Sequence, residues 1–230
     1  MHIKSSFQSF IHLFLPNTCC ACDKALFANE DVLCLACLYH LPLTDFHRDK
    51  RNESAQQLWG KLDFEFATSM LYLSKASHAE RLLHKLKFNG FPEIGVYLGN
   101  MYGKQLIDLH QELPFDYIIP IPLHPSKLRK RGYNQSECFA NGLSNGLRVR
   151  LLNNYLIRMI NSDSQITKAR VERYENVEMV FGLSKNVISL KDKHILLVDD
   201  VLTTGATLSV AGNILKDIGA KVSIVTLARA

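Results

Sequence analysis

The strongest constraint on the fold is the stretch 193–220, KHILLVDDVLTTGATLSVAGNILKDIGA. Its apolar run, residues 195–198, is typical of a strand buried on both faces of a parallel sheet. Asp199 and Asp200 follow, then the small-residue turn 203–207, and then apolar residues at helical spacing. Because ligands of open α/β sheets bind beyond the carboxyl ends of the strands, this turn is a candidate binding site.

The turn has the chemistry of a phosphate site. Backbone N–H groups at the start of a helix bind anions, and the helix dipole favours negative charge there. The adjacent carboxylates would repel a phosphate, but they suit the ribose hydroxyls beside it or a shared Mg²⁺ ion. The pattern predicts a bound sugar phosphate, and an ordinary turn with solvated acids is the alternative. The predicted phosphate-binding residues are Thr203, Thr204, Gly205, Ala206 and Thr207.

A basic stretch follows a second apolar run. Residues 117–121 read as a buried strand, and Pro120 and Pro122 end it in a rigid loop before RGYNQ and a helix. Cations at the carboxyl end of a strand can bind pyrophosphate or a nucleic-acid backbone. A solvated basic turn is the alternative, but the position after a buried strand favours a pyrophosphate loop. The cations are Lys127, Arg129, Lys130 and Arg131.

A long polar segment occupies much of residues 155–183. A short predicted strand ends at Arg158, and Gln165 and Arg173 recur in the polar loop that follows. Long loops in compact domains are often functional, and this one could close over a bound phosphate and exclude water. A disordered surface excursion is the alternative.

The cysteines predict a metal site. Cys19-x-x-Cys22 and Cys34-x-x-Cys37 form two pairs separated by eleven residues. Four thiolates at this spacing suit tetrahedral Zn²⁺, and so short a module needs such a staple to fold. Cys20 is a spare thiol, although Cys20 with Cys22 is a less usual alternative for the first pair. Unligated thiols from a degenerate site are the competing interpretation.

Composition bounds the remaining interpretation. The 230 residues have 47% apolar content and a net charge of +5, as expected for a globular protein that tolerates polyanionic partners. We expect an N-terminal helix and zinc ribbon-like module in 1–45, a linker in 46–65 and the α/β domain in 66–230. The N-terminal helix is amphipathic but too short and polar to span a membrane, and without an export signal the protein is expected to be cytoplasmic.

Several motifs together resemble a known family. VDDVLTTGAT is similar to the phosphoribosyl pyrophosphate (PRPP) signature of type I phosphoribosyltransferases. In the order Cys-x-x-Cys pairs, LKFNG, PIPLHPSKLRKRGYNQ and VDDVLTTGAT, the chain resembles the ComF/GntX family, bacterial proteins associated with DNA uptake during natural transformation. The resemblance implies a type I phosphoribosyltransferase-like parallel sheet flanked by helices, with a small N-terminal zinc-binding module built on four cysteines. It also implies that Asp199 and Asp200 meet the ribose hydroxyls.

Two main functional hypotheses follow from this resemblance, and a regulator that senses PRPP is a third, weaker one. In the first, PRPP is a bound ligand of a competence factor that contacts single-stranded DNA or a translocation protein. In the second, the protein is an active transferase that uses Mg²⁺, with Arg131 among the ligand-binding cations. No sequence feature identifies an acceptor nucleobase or amine. The residues expected to act in catalysis are Asp199, Asp200, Arg158, Gln165 and Arg173.

The same reading of the sequence predicts where the sheet strands lie along the chain. Strands are expected near residues 68–73, 117–121, 154–158, 194–198 and 222–227, with helices on both faces and the zinc module at one side. Continuous helices are expected over residues 78–90 and 93–113.

Overall fold

A computed structural model describes residues 17–158, 181–184 and 188–230 of the chain. The predicted N-terminal amphipathic helix lies outside these residues, and so do Gln165 and Arg173. In chain order, the strands are β1 (Phe66–Tyr72), β2 (Tyr117–Pro120), β3 (Arg150–Leu151), β4 (Leu156–Arg158), β5 (Phe181–Leu183), β6 (His194–Leu202) and β7 (Lys221–Arg229).

Five of these strands form one parallel sheet. Their order across the sheet is β1, β7, β6, β2, β3, and each neighbouring pair is parallel. The central strands β6 and β7 are apolar along most of their length because both faces of the sheet are covered. The predicted parallel α/β fold is therefore confirmed.

Helices cover both faces of the sheet. Side chains alternate along β6: Leu196 and Val198 join one buried cluster, whereas Ile195 and Leu197 join the other. The helices are α1 (Leu35–Tyr39), α2 (Glu53–Leu58), α3 (His78–His84), α4 (Glu93–Gln105), α5 (Ile107–Glu112), α6 (Pro125–Arg131), α7 (Gln135–Leu147) and α8 (Ala206–Asp217), with a 3₁₀ turn at Phe46–Arg48 and a π-helical turn at Lys85–Asn89.

Helices α4 and α7 pack unusually closely through glycine. A Cβ atom on Gly99 would lie 2.2 Å from the carbonyl oxygen of Phe139, and one on Gly142 would lie 2.2 Å from that of Val96. The two backbones therefore touch directly, which only residues without a Cβ permit. This contact fixes the position of α7, whose first turn faces the acidic residues of β6.

The prediction that residues 154–158 form a strand of the main sheet is wrong. The edge strand is β3, which pairs with Tyr117 and Ile118 of β2. The chain then turns through Asn154, whose φ is 61°, and β4 pairs antiparallel with β5 as a separate two-stranded ribbon. A short apolar run indicates a strand without indicating its sheet, because periodicity carries no information about pairing.

Two predicted helices differ in detail from the observed ones. The helix predicted over 93–113 is interrupted at Leu106, which ends α4 and precedes α5. The helix predicted over 78–90 is α-helical only to His84 and continues as the π-helical turn, which ends at Gly90 with a φ of 79°. No helix within the described ranges combines the length and the apolar character that crossing a bilayer requires.

Candidate functional site

The acidic pair lies where two strands separate. Strand β2 follows β6 as far as the pairing of Pro120 with Val198, and β6 then continues beside β7 alone, with Asp199 opposite Thr226. The expectation that both acids follow the end of the strand is thus corrected: they lie within β6, just beyond the end of β2. The departure of β2 opens the space that these carboxylates line.

The carboxylate of Asp199 is held by two donors on the same oxygen. The hydroxyl of Ser136 and the backbone N–H of Asp200 both donate to Oδ1 of Asp199, each at 2.8 Å. Burial, together with the charge of Asp200, raises the pKa of Asp199 to about 7, although these donors and Lys87 act in the opposite direction. The acidic pair therefore carries less than two full negative charges near neutral pH.

The carboxylate of Asp200 has a different partner. The ammonium group of Lys87 lies 3.0 Å from Oδ2 of Asp200, and the two side chains are 24% and 19% exposed. Sequence reasoning assigned no role to Lys87 or Ser136. The signal for Lys87 was its place in the LKFNG motif, and the signal for Ser136 was its position directly after RGYNQ.

The turn 203–207 presents free donors at the start of α8. Gly205 precedes the helix with a φ of 79° and offers no side-chain cap. The N–H of Ala206 donates to the hydroxyl of Thr204 at a long 3.4 Å, within the turn itself. Unpaired N–H groups at such a position suit an anion. The opposite side of the turn is fixed, because Lys61 Nζ donates to the carbonyl of Thr204 at 2.8 Å and a Cβ on Gly205 would meet Leu58 at 2.7 Å.

A cavity of about 260 Å³ joins these groups. Six residues predicted as site residues line it: Asp199, Asp200, Thr203, Thr207, Arg131 and Arg158. Thr204, Gly205 and Ala206 belong to the same turn but are not among its lining residues. Four cations contribute to its wall, so its charge favours an anionic ligand that also carries hydroxyl groups. These cations are Lys87, Lys127, Arg131 and Arg158.

The basic run forms helix α6, whereas the sequence predicted a loop. Pro125 occupies the first turn, His124 Nδ1 accepts from the N–H of Ser126 at 3.2 Å, and Gly132 ends the helix with a φ of 81°. Proline at the start and glycine at the end are typical helix boundaries, which the interpretation of the two preceding prolines as a rigid loop overlooked.

The helix separates its cations by direction. Lys127 and Arg131 are four residues apart, hence on one helix face, and both line the cavity. Arg129 and Lys130 are exposed and are not lining residues. Arg131 donates to Gln135 Oε1 at 2.8 Å and its guanidinium lies 5.1 Å from the ring centroid of Phe88. The predicted basic site is therefore divided into two surfaces: Lys127 and Arg131 line the cavity, whereas Arg129 and Lys130 are exposed outside it.

The four paired cysteines come together as one cluster. The sulfur atoms of Cys19, Cys22, Cys34 and Cys37 lie within 4.8 Å of one another, and those of Cys22 and Cys34 are 3.8 Å apart. Four thiolates around Zn²⁺ at about 2.3 Å would have sulfurs about 3.8 Å apart, so the cluster fits such an ion. Cys20 is 5% exposed, lies in the neighbouring core and is not a member.

Backbone donors lower the pKa of one thiol of this cluster. The N–H groups of Ala21 and Cys34 donate to the sulfur of Cys19 at 3.4 and 3.3 Å. Although burial raises the pKa of the Cys19 thiol, these donors prevail and bring it to about 7. Since the thiolate is the form that binds metal, the cluster could hold a metal ion such as zinc.

Comparison with known proteins places these features in a family. Residues 134–230 match the phosphoribosyl transferase domain model. Competence protein F of Haemophilus influenzae is 34% identical over 123 residues, which are 53% of each chain. Competence protein ComFC of Bacillus subtilis is 33% identical over 149 residues, 64% of this chain and 58% of the relative. The matched domain and these relatives support the ComF family, with a phosphoribosyltransferase fold.

The ComF relatives are matched over part of their length. The alignments span 53% and 58% of the two competence proteins and 66% of DNA utilization protein YhgH of Escherichia coli O157:H7, which is 30% identical and matched over 64% of this chain. The phosphoribosyl transferase match includes Ser136, the acidic pair and the turn, whereas Lys87 and the cysteine cluster precede it.

Proposed function

We propose that this chain binds PRPP and acts in the uptake of DNA, handling incoming single strands in the cytoplasm during natural transformation. The observation that carries the first part is the convergence on one cavity of the acidic pair, the turn at the start of α8 and four cations. An uncapped helix alone suits many anions. Adjacent carboxylates beside it select a ligand that offers hydroxyl donors next to its phosphate.

PRPP matches each group of this cavity. Its 5′-phosphate would take the N–H groups and hydroxyls of the turn, as the spacing of Thr203 and Thr207 suggests. Its ribose hydroxyls would donate to Asp199 and Asp200, and its pyrophosphate would lie toward Lys127 and Arg131. Mg²⁺ would enter with the pyrophosphate and supply further positive charge there. Arg158 lines the same cavity and would neutralise the remaining phosphate charge.

Calorimetric titration tests the ligand. We expect PRPP with Mg²⁺ to bind the zinc-loaded chain with a dissociation constant between about 1 μM and 1 mM, the usual range for small metabolites. Asp200→Asn should weaken binding at least about tenfold because a charged acceptor is lost. Asp63→Asn, on an exposed surface, is the matched control and should change nothing. Equal binding of PRPP by both variants would contradict the proposed site.

The DNA part of the proposal rests on the relatives. Two are competence proteins and one is a DNA utilization protein, although each is matched over no more than 66% of its length. The exposed pair Arg129 and Lys130 gives the chain a surface that suits a phosphate backbone. In a transformable host, deletion should leave DNA entry intact and abolish recovery of recombinants. Normal recombinant numbers would contradict this role.

Phosphoribosyl transfer is the second candidate function. A cavity of about 400 Å³ shares Asn134 with the ligand cavity and could hold an acceptor, and Tyr133 lies in its wall. In that reaction Asp199, Asp200 and Arg158 would orient and stabilise PRPP, as would Gln165 and Arg173 outside the described residues. Release of pyrophosphate from PRPP with a nucleobase panel, lost in Asp200→Asn, would favour the enzyme over the pure binding protein.

We also propose that the cysteine cluster holds a structural Zn²⁺ and that residues 1–45 form its module. Four thiolates leave no open coordination position, so the ion would stabilise rather than react. The module shares a buried cluster with helices α3 and α4, and Lys85 donates to Asp23 at 2.5 Å. It is therefore packed against the phosphoribosyltransferase-like domain, where a translocation protein or DNA could reach both.

A further inference from the structure

Lys87 lies on a backbone segment of unusual geometry. Residues Lys85–Asn89 form a π-helical turn, a rare conformation that is frequent at functional sites. The turn ends at Gly90, whose φ of 79° glycine adopts without strain. The π-helical turn shifts the direction of the side chains after His84, and Lys87 is the residue of this segment that lines the ligand cavity.

Three separate contacts hold this turn in place. Tyr133 donates its hydroxyl to the carbonyl of Leu86 at 2.6 Å, and the guanidinium of Arg131 lies 5.1 Å from the ring centroid of Phe88. Lys85, at the other end, pairs with Asp23 of the cysteine module at 2.5 Å. The backbone on both sides of Lys87 is thus fixed by parts of the chain that are distant in sequence. From this position the ammonium group of Lys87 reaches Asp200.

We propose that Lys87 is the resident cation of the acidic pair, and that it takes the place beside Asp200 that a divalent metal ion would otherwise occupy. This inference rests on the proposed function, because it assigns Lys87 to the same PRPP site. An ammonium group 3.0 Å from Oδ2 of Asp200 blocks that oxygen as a metal ligand. The same group faces the cavity and can also contact a phosphate oxygen of the bound ligand.

The electrostatics of the pair support this role. Asp199 is already satisfied by Ser136 and by a backbone N–H, so Asp200 is the carboxylate that remains to attract a cation. Hard divalent ions seek carboxylate oxygens, and two neighbouring acids would otherwise form such a site. Lys87 supplies one positive charge that is already part of the folded chain. The acids therefore remain hydroxyl acceptors, and Mg²⁺ is left to the pyrophosphate.

Binding of Mn²⁺ alone tests the assignment without PRPP. Mn²⁺ has the oxygen preference of Mg²⁺ and is counted directly by electron paramagnetic resonance. The zinc-loaded wild-type chain should bind it weakly, and Lys87→Met should bind it at least about tenfold more tightly because an unpaired carboxylate pair is exposed. Lys87→Arg should behave as wild type. The double variant Lys87→Met with Asp200→Asn should lose this gain in Mn²⁺ affinity. That result would assign the Mn²⁺ bound by Lys87→Met to the acidic pair.

Calorimetry of PRPP then separates this inference from the proposed function. The zinc-loaded wild type should keep most of its PRPP affinity in buffer without Mg²⁺, whereas Lys87→Met should lose at least about tenfold there and regain much of it when Mg²⁺ is added. Unchanged Mn²⁺ binding in Lys87→Met, or the same Mg²⁺ dependence in both chains, overturns the inference and leaves the proposed function standing. Failure of wild type to bind PRPP at all overturns the proposed function. It also overturns the assignment of Lys87 to a PRPP site.

Discussion

The cysteine cluster and the acidic cavity are assembled in opposite ways. All four sulfur ligands lie between Cys19 and Cys37, and their mutual distances suit an ion before any ligand enters. The cavity draws its wall from segments as distant as Lys87 and Thr207, and its first acid is partly protonated near neutral pH. As proposed, the first site is closed around a structural ion, whereas the second is open and lined by two neighbouring acids and four cations.

This difference predicts opposite responses to substitution. Groups of the closed site hold the structure, so removal of one should cost stability. Groups of the open site are arranged for a ligand, and buried like charges there act against the fold. Neutralising one should increase stability while it weakens ligand binding, a common conflict at functional sites.

Removal of one cysteine ligand should have the largest effect. We expect Cys22→Ala to abolish retention of one zinc ion per chain and to cost at least about 4 kcal/mol, or roughly 8–16 °C in Tm for a chain of this length. The reason is that the short module has little core of its own and depends on the ion. Zinc content by mass spectrometry and thermal unfolding measure both consequences.

Cys20→Ala is the matched control for that experiment. Cys20 is equally close in sequence but lies in the core outside the cluster, with 5% exposure. We expect full zinc content and a loss of no more than about 2 kcal/mol from the small cavity created. Loss of zinc in Cys20→Ala, or its retention in Cys22→Ala, would assign the first ligand pair differently and break the comparison.

Neutralising Asp199 should have an intermediate effect of opposite sign. The pKa of this carboxyl is about 7 in the folded chain against an ordinary value of 3.8, so the folded state holds the proton more tightly. The unfolding free energy should therefore fall as pH rises between these values and stay level above them. Asp199→Asn removes this decline, and above pH 7 it should be more stable by at least about 1 kcal/mol.

The geometry makes asparagine a fair replacement. Both donors to Asp199 use Oδ1, which an asparagine carbonyl can replace. Asp116→Asn is the control: its pKa is lowered because the N–H of His194 and the charge of Lys193 outweigh burial. Stability from Asp116 is present above its ordinary pKa and is lost as pH falls below it. Urea unfolding across pH should show slopes of opposite sign for the two sites, and equal slopes would refute the assignment.

The two sites also differ in how far the sequence predicts them. Cysteine spacing identifies the cluster because its ligands are local, and VDDVLTTGAT identifies the acids and the turn for the same reason. Lys87 and Ser136 reach the acids only through the packing of α4 on α7 and the π-helical turn, which no local pattern reveals. The fold follows the same rule: the apolar runs predicted the positions of β1, β2, β6 and β7, but not the short strands β3 and β5 or the pairing of β4 with β5.

Charge reversal of Arg129 and Lys130 on helix α6 should have the smallest effect on the cavity. It tests whether these two cations contribute to PRPP binding or only to DNA binding. Arg129→Glu with Lys130→Glu should weaken binding of single-stranded oligonucleotides and reduce the slope of log affinity against log salt by about 1.4, as two lost phosphate contacts require. Lys50→Glu with Arg51→Glu, an exposed basic pair elsewhere, makes the same charge change and should leave the slope nearly intact.

Since Arg129 and Lys130 do not line the cavity, PRPP affinity should change by less than about twofold. A large loss of PRPP affinity would mean that the helix acts as one surface, and an equal fall in slope for both pairs would mean that DNA responds to net charge rather than to α6.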